Sequence, residues 1–380
     1  MFFTSFTTIT YELFFIFVGF MGLAFLIAFH ELGHFLFCKI FNIYTPSFSI
    51  GVGPTLFSKK MGSTLFKFCL IPLGGYVEIA GSNEVGQGDQ THAFYKGEDS
   101  FTQKPFWQKL LVMMGGILFN LLFAYGAFTC TFWLGAPKTQ LLYPAIAIPV
   151  IAQVTETGPA ATLLSPGDRI ISIDGIALHN SIETYIKRTE TLSQEPITLV
   201  FLRNTQEKQI IINPILQTNR GRTTASLGII FEMSTPQPLP FLSALYTGIS
   251  ETHRWISSIY KDFIHLLSEK KIGEMAGPLM IVHTSAKLAG QGYLLFLLFL
   301  AVISINLAIL NLIPVPILDG GQIVFHAIEA LVGRPLPEKA QNIINLVCYF
   351  SILTLIVFLS WQDIVRIVTP WIETLKTIKG

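Results

Sequence analysis

The sequence predicts a polytopic α-helical membrane protein with about four transmembrane helices, a membrane-associated β hairpin or loop, and one inserted α+β domain. Three observations predict it. Hydrophobic residues make up 51% of the chain and charged residues only 13%, about half the share of an ordinary soluble domain. Four segments are apolar over about the 20 residues that a helix needs to cross roughly 30 Å of hydrocarbon, and the mean hydropathy is +0.56. A long polar stretch over 145–232 instead alternates short β-rich runs with turn residues.

The first span covers about Leu13–Phe37 within residues 1–38, and Leu13–Phe29 carries no polar side chain before His30-Glu31-Leu32-Gly33-His34 interrupts it. Residues 39–106 form a loop in which GSTLFKFCLIPLGGYVEIAG is too apolar for a linker. Its strand-like runs, punctuated by Pro72, Gly74 and Gly75, read as a β hairpin dipping into the membrane. Irregular backbone is tolerated at that depth only against protein or water. The second span lies within 107–134, where Gly115, Gly116, Ala124, Gly126 and Ala127 suit close helix contact. The 145–232 domain holds IAIPVIAQV, RIISIDGIAL, ITLVFLR, KQIIINPIL and SLGIIF as strands and one helix at about Ser181–Arg188. Residues 233–292 read as an amphipathic helical linker and 293–313 as the third span. Residues 314–342 read as a loop and connection, 343–361 as the fourth span, and 362–380 as a tail suited to an interfacial helix.

Charge supports an orientation. Residues 1–38 contain no Lys or Arg, whereas the first loop holds Lys39, Lys59, Lys60, Lys67, Lys96, Lys104 and Lys109. That asymmetry favours an N-terminus outside and a cytoplasmic first loop, although Arg366, Lys376 and Lys379 in the tail pull the other way. The basic n-region of a cleaved signal peptide is missing. A net charge of +1 supplies no basic field for nucleic acid, so the partner expected first is the lipid bilayer. Cys38, Cys69, Cys130 and Cys348 are scattered in apolar runs without a CxxC pair and read as small buried hydrophobes.

The strongest chemical signal is HELGH. On a helix, positions i and i+4 share a face, so His30 and His34 can reach one ion while Glu31 serves as a base toward water. The plain alternative is two histidines and a glutamate packed on a polar helix face. Position argues against it, because an acidic side chain inside a span costs roughly 2.5–3.5 kcal/mol on insertion scales and is functional by default. A catalytic zinc needs a third protein ligand and an open position. Asp319 is the candidate, in Asn311-Leu-Ile-Pro314-Val-Pro316-Ile-Leu-Asp319-Gly320-Gly321, where two prolines end the third span. Taken alone, a loop Asp in a Leu-Asp-Gly-Gly turn explains that stretch better.

These stretches carry a resemblance. HELGHFLFCKIF, FKFCLIPLGGYVEIAG, GGILFN, MAGPLMI and above all FLAVISINLAILNLIPVPILDGG resemble the site-2 protease family of intramembrane zinc metalloproteases, closest to its bacterial branch, the regulator of sigma E protease. PGDRIISIDGIAL makes the inserted domain similar to a PDZ domain. The resemblance implies one Zn²⁺ per chain on His30, His34 and Asp319, and Glu31 as the catalytic base. It implies that Asn311 contacts substrate backbone or the developing oxyanion. The Phe68, Gly74 and Gly75 region would bind substrate by strand addition along FKFCLI. Asn120, Pro314 and Gly320 would support the site; for Asn120 the expected role is an interhelical hydrogen bond. The implied activity is hydrolysis of peptide bonds in or near the membrane segment of single-span proteins, such as anti-sigma factors or signal-peptide remnants already trimmed by another protease. The implied location is a bacterial cytoplasmic (inner) membrane. Two features depart from the pattern: there is room for one PDZ-like domain where the relative has two, and Gln322 stands where it often has His. A zinc transporter, or a membrane-anchored PDZ module with a dead core, are the competing readings. The first needs a polar path that spans two and four offer only at Asn120 and Asn342; the second expects a lost ligand or base.

Overall fold

A computed structural model of the chain describes residues 2–82, 91–190, 194–219, 222–269 and 275–379. Parts of five expected segments therefore lie outside the described residues: 1 of the first span, 83–90 of the first loop, 191–193 and 220–221 of the inserted domain, 270–274 of the linker, and 380 of the tail. Contacts divide the chain into two units, one of residues 1–128, 252–260 and 270–380, the other of 129–251 and 261–269.

The first unit is built on helices. α1 (Phe2–Ile40), α2 (Phe106–Leu134), α6 (Tyr293–Leu312) and α8 (Glu338–Lys379) each contain a stretch long and apolar enough to cross a membrane. Lipid tails give two apolar helices no hydrophobic reason to associate, so small and polar residues must draw them together. α1 and α2 meet where a Cβ on Gly33 would run into the Gly115 carbonyl. α6 is held to α2 by the Ser304 hydroxyl, which donates to the Asn120 carbonyl at 2.8 Å. α5 (Pro278–Gln291), expected as part of a linker, packs on α1, where Ser285 Oγ donates to the Gly19 carbonyl at 3.2 Å. The N-terminus of α5 is tied to α8, because the buried Asp363 carboxylate accepts from Gly277 N and Met280 N, both at 3.0 Å. This capping satisfies amides that the helix itself cannot pair.

The structure revises three expectations. The connection over 314–342 is not all loop, since α7 (Asp319–Val332) occupies its middle and ends at Gly333 in the left-handed conformation. The tail is not a separate interfacial helix, because α8 continues unbroken through it. The third concerns the hairpin of β1 (Ser47–Met61) and β2 (Thr64–Val77), which pair antiparallel with repeated register shifts. Phe68 lies opposite both Ile50 and Phe57, so strands occupy both of its sides. FKFCLI is therefore interior to this folded-over sheet and cannot offer Phe68 as an edge. Gly75, Tyr76 and Val77 lie opposite Ile50, Ser49 and Phe48, and no other described strand pairs with their far side.

In the second unit, one sheet has the order β10-β3-β4-β6-β7, using Ile229–Met233, Ala147–Val154, Arg169–Ile173, Ile197–Arg203 and Gln206–Ile212; β5 (Ile176–Ala177) pairs with β4. A separate hairpin joins β8 (Ile215–Asn219) to β9 (Arg222–Ser226). The helix expected at Ser181–Arg188 is α3 (Glu183–Glu190). Ile197, Leu199 and Phe201 alternate inward along β6 onto a core with Ile151, Ile170 and Phe231, as period-two patterning requires. α4 (Phe241–Glu269) follows this sheet in sequence.

One buried charge anchors that sheet. Arg203 grips Asp168 with both Nε–Oδ1 at 2.8 Å and Nη2–Oδ2 at 2.6 Å, and Ser165 N adds a third bond at 2.8 Å. Burial pushes the Asp168 carboxyl up, but the Arg203 hydrogen bonds and the Ser165 amide outweigh burial and hold it below its ordinary value. A depressed folded value means the stabilisation is complete above about pH 4 and fades as pH falls through the folded value. Asp168→Asn should cost about 2 kcal/mol at neutral pH, and the gap to the unsubstituted protein should narrow below about pH 4. Protease susceptibility of the 147–233 segment in the full chain, followed against urea at several pH values, checks this; a pH-independent gap would contradict it.

Candidate active site

α1 carries His30 and His34 one turn apart, so both imidazoles leave the helix on one face with ring centroids 4.8 Å apart. Their Nε2 atoms stand 3.1 Å from each other. The third group arrives from the other end of the chain. Pro314 forces Ile313 into extended backbone and ends α6. After the turn Val315–Leu318, α7 begins at Asp319. Gly320 and Gly321 let α7 start hard against the turn, because a Cβ on either would meet the carbonyls of Leu312 and Ile313 or of Val315. Pro314 itself is exposed and acts on the chain path alone. Asp319 Oδ2 then lies 3.3 Å from His30 Nε2, and Oδ1 lies 3.6 Å from His34 Nε2. His30, His34 and Asp319 can each turn one ligand atom to a common point, all within 4.8 Å of one another.

The site can be tested for a cation without reference to any family. Asp319 Oδ2 is buried and has no hydrogen-bond partner. His34 Nδ1 sits 2.8 Å from the Val112 carbonyl, which can only accept, so Nδ1 carries the proton and the Nε2 lone pair faces inward. His30 Nδ1 is 3.1 Å from the Asn120 amide nitrogen, while Asn120 Oδ1 is buried without a partner. Half a turn of that amide lets Oδ1 accept from His30 Nδ1–H, so that the His30 Nε2 lone pair also points inward and the amide N–H takes the place Oδ1 held. Two lone pairs and a carboxylate facing one point in apolar surroundings repel one another unless a cation lies between them. Two neutral imidazoles and one carboxylate, with room beside them, is a donor set suited to zinc. Asn120 is thus more than an interhelical tie, since its partner across the helices is the His30 imidazole of this cluster.

A cavity of about 280 Å³ opens on this cluster. Glu31, Gly75, Asn311 and Gln322 line it together with His30, His34, Asn120 and Asp319. Asn311 Nδ2 comes within 3.5 Å of His30 Nε2. Gln322, which departs from the expected pattern, donates its amide to the Pro316 carbonyl and closes the turn that precedes Asp319. Of the residues expected to touch substrate, Asn311 and Gly75 line the cavity; Phe68, 39% exposed, and Gly74 do not. Three further contributors shape the site, of which the sequence marks only Gly116, as a close helix contact. Gly116 lets α2 press on both imidazoles, where a Cβ would collide with them. The Val112 carbonyl is a backbone group and carries no residue-type signal. Asn345 of α8 lines the cavity and is buried, whereas Asn342, the polar residue that drew notice in the fourth span, is exposed.

Residues 18–355 match Peptidase family M50. The zinc metalloprotease RasP of Geobacillus kaustophilus is 27% identical, with 89% of this chain and 95% of that protein covered. A Rickettsia conorii protein that bears a zinc-metalloprotease name is 31% identical, covering 91% of this chain and 98% of its own length. Among solved structures, the PDZ domain of an SdrC-like protein of Listeria monocytogenes aligns with 23% of this chain and 87% of its own, at 22% identity and a TM-score of 0.20, a value that carries no argument. With a match spanning the HELGH helix through the fourth apolar helix, this chain belongs to Peptidase family M50, the site-2 protease family, and is an integral membrane zinc metalloprotease.

Proposed function

We propose that this protease cleaves peptide bonds within or near the membrane segment of single-span proteins, with His30, His34 and Asp319 as its zinc ligands and Glu31 as its general base. The observation that carries the reading is Asp319 Oδ2, a buried carboxylate oxygen without a hydrogen-bond partner, facing two imidazole nitrogens at a break between apolar helices.

Zinc, when bound, is a Lewis acid that acidifies a water toward neutrality and stabilises negative charge on a carbonyl oxygen. The protein supplies the rest. Glu31, the neighbour of His30 in HELGH, faces the same cavity and takes a proton from the attacking water on its carboxylate, later handing it to the leaving amine. Asn311 donates its amide to the carbonyl oxygen as charge develops there. Val112 and Asn120 keep both imidazoles in the tautomer with Nε2 unprotonated. A helical substrate hides its carbonyls in its own hydrogen bonds, so the segment to be cut must be unwound. The unpaired side of Gly75–Val77 is suited to hold it by strand addition.

In this proposal the 39–106 loop and the zinc site lie toward the cytoplasm, and the 145–232 domain, read as PDZ-like, lies outside. There it restricts access to substrates already trimmed by another protease. The lysine asymmetry between residues 1–38 and the first loop supports that orientation. The membrane is a bacterial inner membrane, and anti-sigma factors and signal-peptide remnants are the substrate classes that fit.

Glu31→Gln should keep zinc at one per chain and lose cleavage of a model single-span substrate by about 10²–10⁴-fold. Metal analysis of the purified protein beside a cleavage assay reads both, and retained proteolysis would remove Glu31 from the role of base. Asp319→Asn should lose cleavage and zinc together; zinc held with unchanged affinity would place the third ligand elsewhere. Asn120→Leu should weaken zinc by about 10–100-fold in competition with a chelator, because the His30 tautomer is no longer fixed. Orientation is tested on a chain without its native cysteines. Lys60→Cys and Gln206→Cys should be labelled by impermeant reagents from opposite sides of the membrane, and labelling of both from one side would refute the topology.

A further inference from the structure

We propose that Asn345 is a positioning residue for substrate in this protease, its carboxamide oxygen accepting a backbone N–H from a residue next to the scissile bond. The inference rests on the protease reading above and adds a fourth-helix residue to it.

Asn345 sits in an apolar stretch of α8. Its neighbours Ile343, Ile344, Leu346 and Val347 are all exposed on the helix surface, the surface a bilayer would cover. Asn345 alone among them turns inward and is 3% exposed. It lines the same cavity as Glu31 and Asp319. Its Oδ1 is buried and no described residue donates to it. A carboxamide oxygen buried beside hydrocarbon without a donor is unfavourable, and such orphans are rare in finished structures. Among the described residues that line the cavity, none donates to it. The Gln322 amide donates to the Pro316 carbonyl, and the Asn120 and Asn311 side chains are turned to His30. A segment that enters the cavity can supply the missing donor.

The chemistry of the substrate identifies that donor. A peptide in a helix has its N–H groups bonded to its own carbonyls. Once unwound, it presents one free N–H per residue, on alternating sides of an extended strand. One side can pair with Gly75–Val77; N–H groups on the other side need acceptors, and Asn345 supplies one. Asn345 therefore offsets part of the cost of unwinding and offers nothing to a segment that stays helical. Its contribution falls on the choice of extended over helical substrate.

The test removes the hydrogen bond from each partner in turn. The full-length protein in detergent cleaves a single-span synthetic substrate. A series of the same substrate carries a backbone ester in place of the amide, which deletes one N–H, at each of three positions on either side of the scissile bond. The enzymes are the unsubstituted protein, Asn345→Leu, Asn345→Ala and Asn345→Asp, the last of which keeps an acceptor. Asn345→Leu and Asn345→Ala should keep zinc at one per chain and lower kcat/KM for the amide substrate about tenfold, the scale of one hydrogen bond to a buried acceptor. The unsubstituted protein should cleave one ester of the series about tenfold more slowly, and that penalty should vanish in Asn345→Leu and Asn345→Ala but persist in Asn345→Asp. Losses that simply multiply at every ester position would overturn the inference, as would zinc loss in both neutral variants, which would make Asn345 a structural support of the metal site. Failure of the protease reading is told apart by Glu31→Gln: if that protein cleaves normally, the reading falls and the inference with it, whatever the esters show.

Discussion

The molecule is organised by an electrostatic demand. Two imidazole lone pairs and one carboxylate face a single point inside a bundle of apolar helices, and such a cluster is tolerable only around a cation. Meeting that demand fixes much else. α1 and α2 must approach closely enough for Val112 and Asn120 to reach the outer nitrogens of the imidazoles, which is why Gly33, Gly115 and Gly116 leave no side chain between them. α6 must stop at Pro314 so that Asp319 can open a new helix at the same place. A larger residue at any of these points would displace one of the three groups or its partner, whatever it did to the stability of the fold.

The break after α6 also illustrates how a membrane protein manages irregular backbone. Freed amides and carbonyls at this position cannot be left to lipid. Here the Gln322 side chain takes the Pro316 carbonyl, and the amides of Gly321 and Gln322 bond the Leu318 carbonyl. The turn is closed by its own residues, and what remains polar faces the cavity.

Much of this was legible in the sequence, and what was not divides by physical cause. HELGH declared its geometry because helical spacing is local, and the apolar runs declared four helices because hydrocarbon thickness sets a length. Asp319 is a candidate from the proline-broken end of the third span, but no local rule brings residue 319 to residue 30, and the likeness to a known family singles it out. The FKFCLI segment has strand character, but strand propensity does not say whether a strand is interior or at an edge. That depends on register, and the chain folds Ser47–Ile50 against it, so Phe68 is enclosed on both sides. Asn342 and Asn345 are the same residue type one turn apart on an apolar helix. Which one faces the cavity is a matter of rotation about the helix axis, which composition leaves open. α7 was read as loop because Asp-Gly-Gly is common in turns; here the glycines serve close packing at a helix start.

The capping of α5 by Asp363 has a mechanical meaning. Asp363 is a fixed point on α8, held by two backbone amides from another helix. Asn345 lies eighteen positions away along the same rod, about 27 Å at 1.5 Å per residue, nearly the thickness of the hydrocarbon layer. A rigid rod clamped at one end turns inclination into travel at the other, and one degree over that length moves the far end by about 0.5 Å. A hydrogen bond spoils within a displacement of that order. The inclination of α8 therefore governs how Asn345 is presented to the cavity, and inclination is the variable through which helices accommodate bilayers of different thickness. With Asp363 held, a change in the inclination of α8 would reach the cavity as a displacement of Asn345.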